Sequence, residues 1–154
     1  MRPSRTLRLA HAAPLCVALL LLASILAVWS TGNADTGTAT TALLDSGKTV
    51  LGQTFSYSTK TPAKVTSEII ALAPGAETGW HKHEVPLFGY VLDGELSVDY
   101  GADGTRVYRK GEAFIEAIGI PHNGRNTGPG EVRLLAVFMG ADGVPDTVSL
   151  PASQ

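Results

Sequence analysis

Cysteine is almost absent from this sequence, which has a single one, Cys16, among 154 residues. Cys16 lies at the start of an apolar run rather than just after it, which is the reverse of the order in a lipoprotein attachment site. If the N-terminal segment is removed, the remaining chain has no cysteine. Disulfides and thiol chemistry are then excluded from the mature protein, whatever the redox state of its compartment.

Positive charge is scarce in most of the chain. The first 34 residues contain three arginines and no acidic residue, which leaves nine Lys and Arg against fourteen Asp and Glu in the rest. The rest of the chain therefore has a net charge of −5 and no basic cluster. An acidic domain of this kind is a poor candidate for nucleic-acid binding, and we expect no nucleic-acid partner.

Long hydrophobic runs are limited to one, residues 15–29, which follows a positive region formed by Arg2, Arg5, Arg8 and His11. A run of this length is shorter than the about 20 residues of a membrane-spanning helix and is typical of a secretory signal. The small residues Gly32 and Ala34 predict cleavage before Asp35. The alternative is an uncleaved membrane anchor, because the length of the run and Trp29 place the segment near the border between a signal peptide and an anchor.

These patterns predict three segments. Residues 1–34 are a signal peptide or an N-terminal membrane anchor, residues 35–48 a flexible linker rich in Thr, Gly and Ala, and residues 49–154 a β-barrel domain. We expect an exported protein, periplasmic or extracellular, or one anchored by its N-terminal segment. Contact with a membrane is expected only through that segment, if it is uncleaved.

Helical periodicity is missing after the linker. Short β-like runs alternate there with turn signals such as Asp93-Gly94 and Asp103-Gly104. Closely and regularly spaced short strands are typical of an all-β sandwich or barrel. The predicted strands are residues 49–58, 64–73, 87–92, 95–100, 105–109, 113–117 and 131–140.

Histidine is rare, and two of the four histidines, His81 and His83, are one residue apart in a β-like stretch. Side chains at i and i+2 of a strand point to the same face, whereas Lys82 faces away. This is the geometry of two neighbouring metal ligands, although a polar edge strand on a solvated surface would have the same pattern.

The third histidine of the mature chain, His122, follows the predicted strand 113–117 by a few residues. A close pair on one strand and one distant residue can converge inside a barrel. Three neutral imidazoles suit Fe, Mn, Ni, Cu or Zn and leave coordination positions open for a substrate. We therefore predict a divalent transition metal held by His81, His83 and His122.

These residues resemble the two motifs of the cupins. Gly75, His81, His83 and Gly94 match the spacing of the first motif, and Gly111, His122 and Asn126 match the second. The 16 residues between the motifs are typical of small single-domain cupins. The resemblance implies a single cupin barrel, a double-stranded β-helix or jelly roll, and a homodimer.

The sequence departs from the cupin pattern where the family has a metal-binding glutamate, because this position is Leu87. Three consequences are open: metal binding by the histidines alone, recruitment of another carboxylate, or loss of the metal. By strand parity Glu84 faces outward with Lys82. Glu116 is the better substitute, because its predicted strand 113–117 otherwise carries small and apolar residues, and its six-residue offset from His122 gives the same facing in a regular strand. The segment 119–121 interrupts the strand period, so a solvated or salt-bridged glutamate is the alternative to a pocket residue.

Other polar side chains are weaker candidates. Arg125 is a candidate clamp for an anionic substrate, with a surface arginine as the alternative. Asn126 is expected to bond the backbone of a loop. The barrel mouth has further candidate lining residues, for each of which core packing is the alternative: Gln53, Tyr57, Phe88 and Tyr90.

A divalent ion held by three neutral imidazoles keeps its full charge and favours an anionic ligand. The sequence therefore predicts a metal-dependent enzyme, oxygenase-like or isomerase-like, acting on a small organic anion, with Glu116 and Arg125 as candidate catalytic residues. The alternative is a non-catalytic barrel that binds or senses a small ligand, with or without metal. A vestigial site is a third hypothesis.

Overall fold

The computed structural model describes residues 39–57 and 60–151. The predicted signal peptide or anchor, residues 1–34, lies outside the described residues, together with Cys16 and part of the predicted linker. Residues 39–48 of that linker are exposed. In the part of the chain that the structure describes, no helix is long and apolar enough to cross a bilayer.

The described residues form nine antiparallel strands, which confirms the all-β prediction. The strands are β1 (Ala63–Leu72), β2 (His81–Lys82), β3 (Leu87–Asp93), β4 (Glu95–Asp99), β5 (Thr105–Arg109), β6 (Ala113–Ile115), β7 (Asn123–Asn126), β8 (Val132–Ala141) and β9 (Val148–Ser149). One sheet has the order β1-β8-β3-β6, a second has β5-β4-β7, and β2 pairs with β9. This two-sheet arrangement is the predicted jelly roll.

The core lies between the two sheets. Alternate residues of β4 and β8 are buried, as a strand with one covered face requires. Val91 and Leu134 of the four-stranded sheet belong to the same buried cluster as Leu96 and Val98 of the three-stranded sheet. The inward side chains of both sheets therefore form the wall of one interior.

Gly94 connects the two sheets, because β3 ends at Asp93 in one and β4 begins at Glu95 in the other. Its φ is +80°, and a Cβ there would lie 2.6 Å from the carbonyl oxygen of Glu131. A side chain at this corner would meet both backbone strain and a clash with backbone. This explains in physical terms why a glycine ends the first motif.

The structure corrects the predicted strand over residues 49–58. Within residues 49–57 it has a turn, closed by the Gly52 N–H donating to Thr49, and one isolated bridge between Lys48 and Thr54. Two strands were not predicted, β7 and β9. Their sequences, NGRN and VS, are too polar or too short for an alternating pattern to reveal them.

Candidate metal centre

The backbone brings the three histidines to one place. His81 and His122 exchange two backbone hydrogen bonds of 3.0 and 2.9 Å, so the ends of β2 and β7 are joined directly at these residues. His83 is held beside the segment before His122, since its carbonyl accepts from the N–H of Gly119 at 2.8 Å. The three imidazole centroids lie 4.4 to 5.0 Å from one another.

Each imidazole is oriented by a backbone carbonyl. The Nδ1 atoms of His81, His83 and His122 lie 2.7, 3.0 and 2.9 Å from carbonyl oxygens. The three oxygens belong to Gly79, Asp146 and Ile120, in that order. Because a carbonyl can only accept, each Nδ1 carries the proton and each Nε2 keeps a free lone pair.

This set fits a transition metal. One ligand nitrogen from each histidine can be chosen so that all three lie within 4.8 Å of one another. A hydrogen bond from the second ring nitrogen to a carbonyl is the outer contact that metal-binding histidines make, and it fixes both the tautomer and the ring orientation. The residues present therefore fit a metal in both donor type and orientation.

Burial keeps the imidazoles neutral. His83 and His122 are 3% and 2% exposed, and His81 is half-buried. Desolvation lowers the pKa of all three histidines, and that of His83 falls from 6.5 to about 4. Neutral imidazole is the form that binds metal, so the site is deprotonated at neutral pH before any ion enters.

The lowered pKa of His83 predicts acid sensitivity of the metal-free fold. Between pH 6.5 and about 4 the unfolded chain binds a proton at this histidine and the folded chain does not, so stability is lost as the pH falls. The shift corresponds to roughly 3 kcal/mol. Urea unfolding with a chelator present, at pH 7 and pH 4, should show that wild type loses about this much more stability than His83→Gln.

The comparison with His83→Gln is needed because burial raises the pKa of Glu116, which acts in the opposite sense. A carboxyl group with a raised folded-state pKa gains relative stability as the pH falls. This contribution is common to wild type and variant and cancels in their difference. Equal acid sensitivity of the two proteins would contradict the assigned neutral, buried state of His83.

Glu116 lies in the site, and the solvated alternative is wrong. Its side chain is buried at 4% exposure, and its Oε2 is 3.9 Å from the Nε2 of His122. The other oxygen, Oε1, accepts two hydrogen bonds, from the hydroxyl of Tyr100 at 2.6 Å and the N–H of Ala117 at 2.7 Å. These two donors hold the carboxyl group with Oε2 on the side of the histidines.

Strand pairing explains how Glu116 reaches this position. The Glu116 N–H donates to the carbonyl of Leu87 at 2.9 Å, so the two residues are cross-strand neighbours at the ends of β3 and β6. Leu87 is buried and lines the same cavity. Glu116 therefore places a carboxyl group beside the position at which the cupin pattern has its glutamate.

The histidines lie in a cavity of about 440 Å³ with mainly apolar walls. Its buried wall is formed by Leu72, Leu87, Leu96, Val98, Phe114, Leu134 and Phe138. Exposed polar residues line it as well, and these are Glu68, Thr78, Thr147 and Ser149. This size is in the range of small-molecule sites in proteins.

Arg125 is not brought to this cavity. It is an outward residue of β7, with 57% of its side chain exposed, and it forms an ion pair with Glu77 at 3.5 Å. The alternation of β7 points its neighbours Gly124 and Asn126 inward instead. The structure thus corrects the prediction of an anion clamp, and Arg125 is a surface arginine.

The remaining candidates have structural roles. Asn126 is buried and donates to the carbonyls of Leu72 and Gly130, which confirms the expected loop contact. The Gln53 amide bonds both the N–H and the carbonyl of Ile118. None of the predicted mouth residues lines the histidine cavity: Gln53, Tyr57, Phe88 and Tyr90.

Sequence reasoning did not identify Tyr100 as part of the site. The alternation of residues 95–100 predicted that Tyr100 is buried, and its side chain is 2% exposed. Its hydroxyl, however, donates a hydrogen bond to Glu116. A buried tyrosine needs a partner for its hydroxyl, and this requirement was the available signal. Thr147 and Ser149 also line the cavity, but they belong to no sequence motif that could have identified them as cavity residues.

Comparisons with known proteins agree with this fold. The model of the family described as "Cupin domain" matches residues 68–138. No curated protein matches the chain. The protein TT1209 from Thermus thermophilus is 30% identical, with a TM-score of 0.45, over 49% of this chain and 72% of the other.

Oxalate decarboxylases are also among the similar structures. The Lactobacillus farciminis enzyme in complex with formate is 22% identical, with a TM-score of 0.49, over 56% of this chain and 26% of the other. The Bacillus subtilis enzyme, studied for its Mn(II) centres, is 22% identical, with a TM-score of 0.47, over 56% and 24%. The chain thus spans about a quarter of the length of these enzymes.

Proposed function

The chain belongs to the cupin superfamily, and we propose that it binds a divalent transition metal through His81, His83 and His122. The observation that carries this proposal is the orientation of the three rings. Each Nδ1–H is engaged by a backbone carbonyl, which leaves three Nε2 lone pairs for one ion. Iron, manganese, nickel, copper and zinc all accept imidazole ligands.

We further propose that the site acts on a small organic anion, with oxygenase-like or isomerase-like activity. A bound ion would supply a site for an anionic oxygen and would polarise it as a Lewis acid. The chain itself supplies neutral ligands that leave the charge of the ion undiminished, a cavity with mainly apolar walls, and Glu116 as a fixed carboxyl group facing the histidines. Support for catalysis comes from that carboxyl group, because a simple binding barrel does not require it.

The first experiment is metal analysis of the chain purified without chelators or affinity histidines. Mass spectrometry should detect close to one transition metal ion per chain, and the metal's identity then separates oxygen chemistry from Lewis-acid chemistry. The loaded protein is next incubated with catechols, thiols and 2-oxo acids while oxygen and substrate are followed. If the protein binds metal but consumes none of these compounds, the non-catalytic binding or sensing barrel is favoured. If the chain does not bind added metal, the metal proposal is overturned.

Export is part of the same proposal, and its support is the N-terminal pattern of arginines followed by the apolar run 15–29. Anchoring by an uncleaved segment remains the alternative form of this proposal. The homodimer stays a prediction from the resemblance.

A further inference from the structure

The described residues that line the histidine cavity include no positively charged side chain. Among the described residues that line it, there is no lysine and no arginine, and the two carboxyl groups there, Glu68 and Glu116, would both disfavour an additional negative charge. We infer that the cavity selects singly charged, chelating anions with an apolar body and excludes dianions of the same size. This inference rests on the proposed function, because it takes the metal as the site's only cation.

The head of such a ligand is defined by the metal position. Three neutral histidines leave the ion its full double charge and open coordination positions, which favours a bidentate oxygen donor with one negative charge. A 2-oxo carboxylate and the monoanion of a catechol both have this arrangement of donors. In each case the charge lies next to the ion, and the rest of the molecule is uncharged.

The body of the ligand would contact the apolar wall. Seven buried apolar side chains line the cavity, and two of them, Phe114 and Phe138, are aromatic. Burial of apolar ligand surface there is favourable in proportion to its area. A volume of about 440 Å³ accommodates a branched alkyl or phenyl group together with the chelating head.

A second negative charge on the ligand would find no cationic partner among the described residues that line the cavity. The basic side chains nearest to the histidines in sequence are already paired on the outside, Lys82 with Glu84 at 2.6 Å and Arg125 with Glu77 at 3.5 Å. A distal carboxylate on the ligand would therefore lose its hydration without gaining an ion pair. It would also be repelled by the carboxylate of Glu68.

A matched pair of probes tests the inference: 4-methyl-2-oxopentanoate and 2-oxoglutarate, which share the chelating head and differ in the tail. The full chain is loaded with Co(II), and each probe is titrated while the visible spectrum of the ion is recorded. We expect 4-methyl-2-oxopentanoate to bind at least tenfold more tightly. Equal binding, tighter binding of 2-oxoglutarate, or no response to either probe would overturn the inference while leaving the metal site intact.

Failure to bind Co(II) at all would instead overturn the proposed function, and this inference with it. A charge-gain variant provides an independent measurement: Leu134→Lys adds a cation to the cavity wall, and Val137→Lys adds one to the outward face of the same strand. Leu134→Lys should lower the preference for 4-methyl-2-oxopentanoate at least fivefold, and Val137→Lys should not change it. If Leu134→Lys does not fold, the wild-type comparison still decides.

Discussion

Replacement of His83 by alanine should remove nearly all bound metal. In the proposed site His83 is one of three nitrogen ligands. It is 3% exposed, and its Nδ1–H is held by the carbonyl of Asp146. Loss of an outer partner of a metal ligand weakens binding by roughly 10- to 100-fold. Loss of the ligand itself should cost more than 100-fold, measured by competition with a chromophoric chelator at pH 7.

The control for this variant is Lys82→Ala, which changes the residue between the two proposed ligands His81 and His83. Lys82 pairs with Glu84 on the outside of the barrel, so its removal should leave metal affinity unchanged. Circular dichroism and thermal unfolding must show that His83→Ala is folded, since the substitution also leaves the carbonyl of Asp146 without its imidazole donor. A folded His83→Ala protein that binds metal as tightly as wild type would exclude the three-histidine site.

The pair of His81 and His83 could be predicted because its signal is local. His81 and His83 are two positions apart, and the period of a strand fixes their common facing whatever the rest of the fold does. His122 was assigned by its place in a two-motif pattern. Its backbone pairing with His81 is a long-range contact that no local spacing contains.

The position of Glu116 could not be predicted in the same way. Its facing relative to His122 depends on the segment 119–121, which interrupts the strand period, and β6 ends at Ile115. What orients the side chain is pairing between Glu116 and Leu87, together with the hydroxyl of Tyr100. Such contacts depend on which strands become neighbours, and this is a property of the topology rather than of one strand.

Arg125 was a candidate for the site because it is close to His122 in the sequence, but it is not in the cavity. It lies three residues after His122, but β7 begins between them, and the alternation of that strand turns Arg125 outward. The sequence NGRN has too little apolar character to be recognised as a strand, so the facing of its residues could not be assigned. Because this arginine lies outside the cavity, a metal bound by the histidines would be the only cation beside the described residues that line it.

Glu116→Ala should leave the metal bound, whereas Glu116→Gln should lower turnover by about 10²-fold or more. The carboxyl group lies outside the group of three histidines whose ligand atoms converge, so it is not required as a ligand. Glutamine can keep both hydrogen bonds that Oε1 accepts, from Tyr100 and from the N–H of Ala117, because its own Oε1 remains an acceptor. It replaces only Oε2, the oxygen on the side of His122, by an amide nitrogen that cannot accept a proton.

Tyr100→Phe is the companion variant, because it removes one of the two donors to Glu116 and leaves the carboxyl group in place. If the carboxyl group acts by its position, Tyr100→Phe should reduce kcat and shift its pH profile while metal content stays at the wild-type level. The measurements are metal analysis of all three variants and kcat against pH for the compound that the loaded protein consumes. Metal loss from Glu116→Ala would reverse the assignment, since it would make Glu116 a recruited ligand that compensates for Leu87.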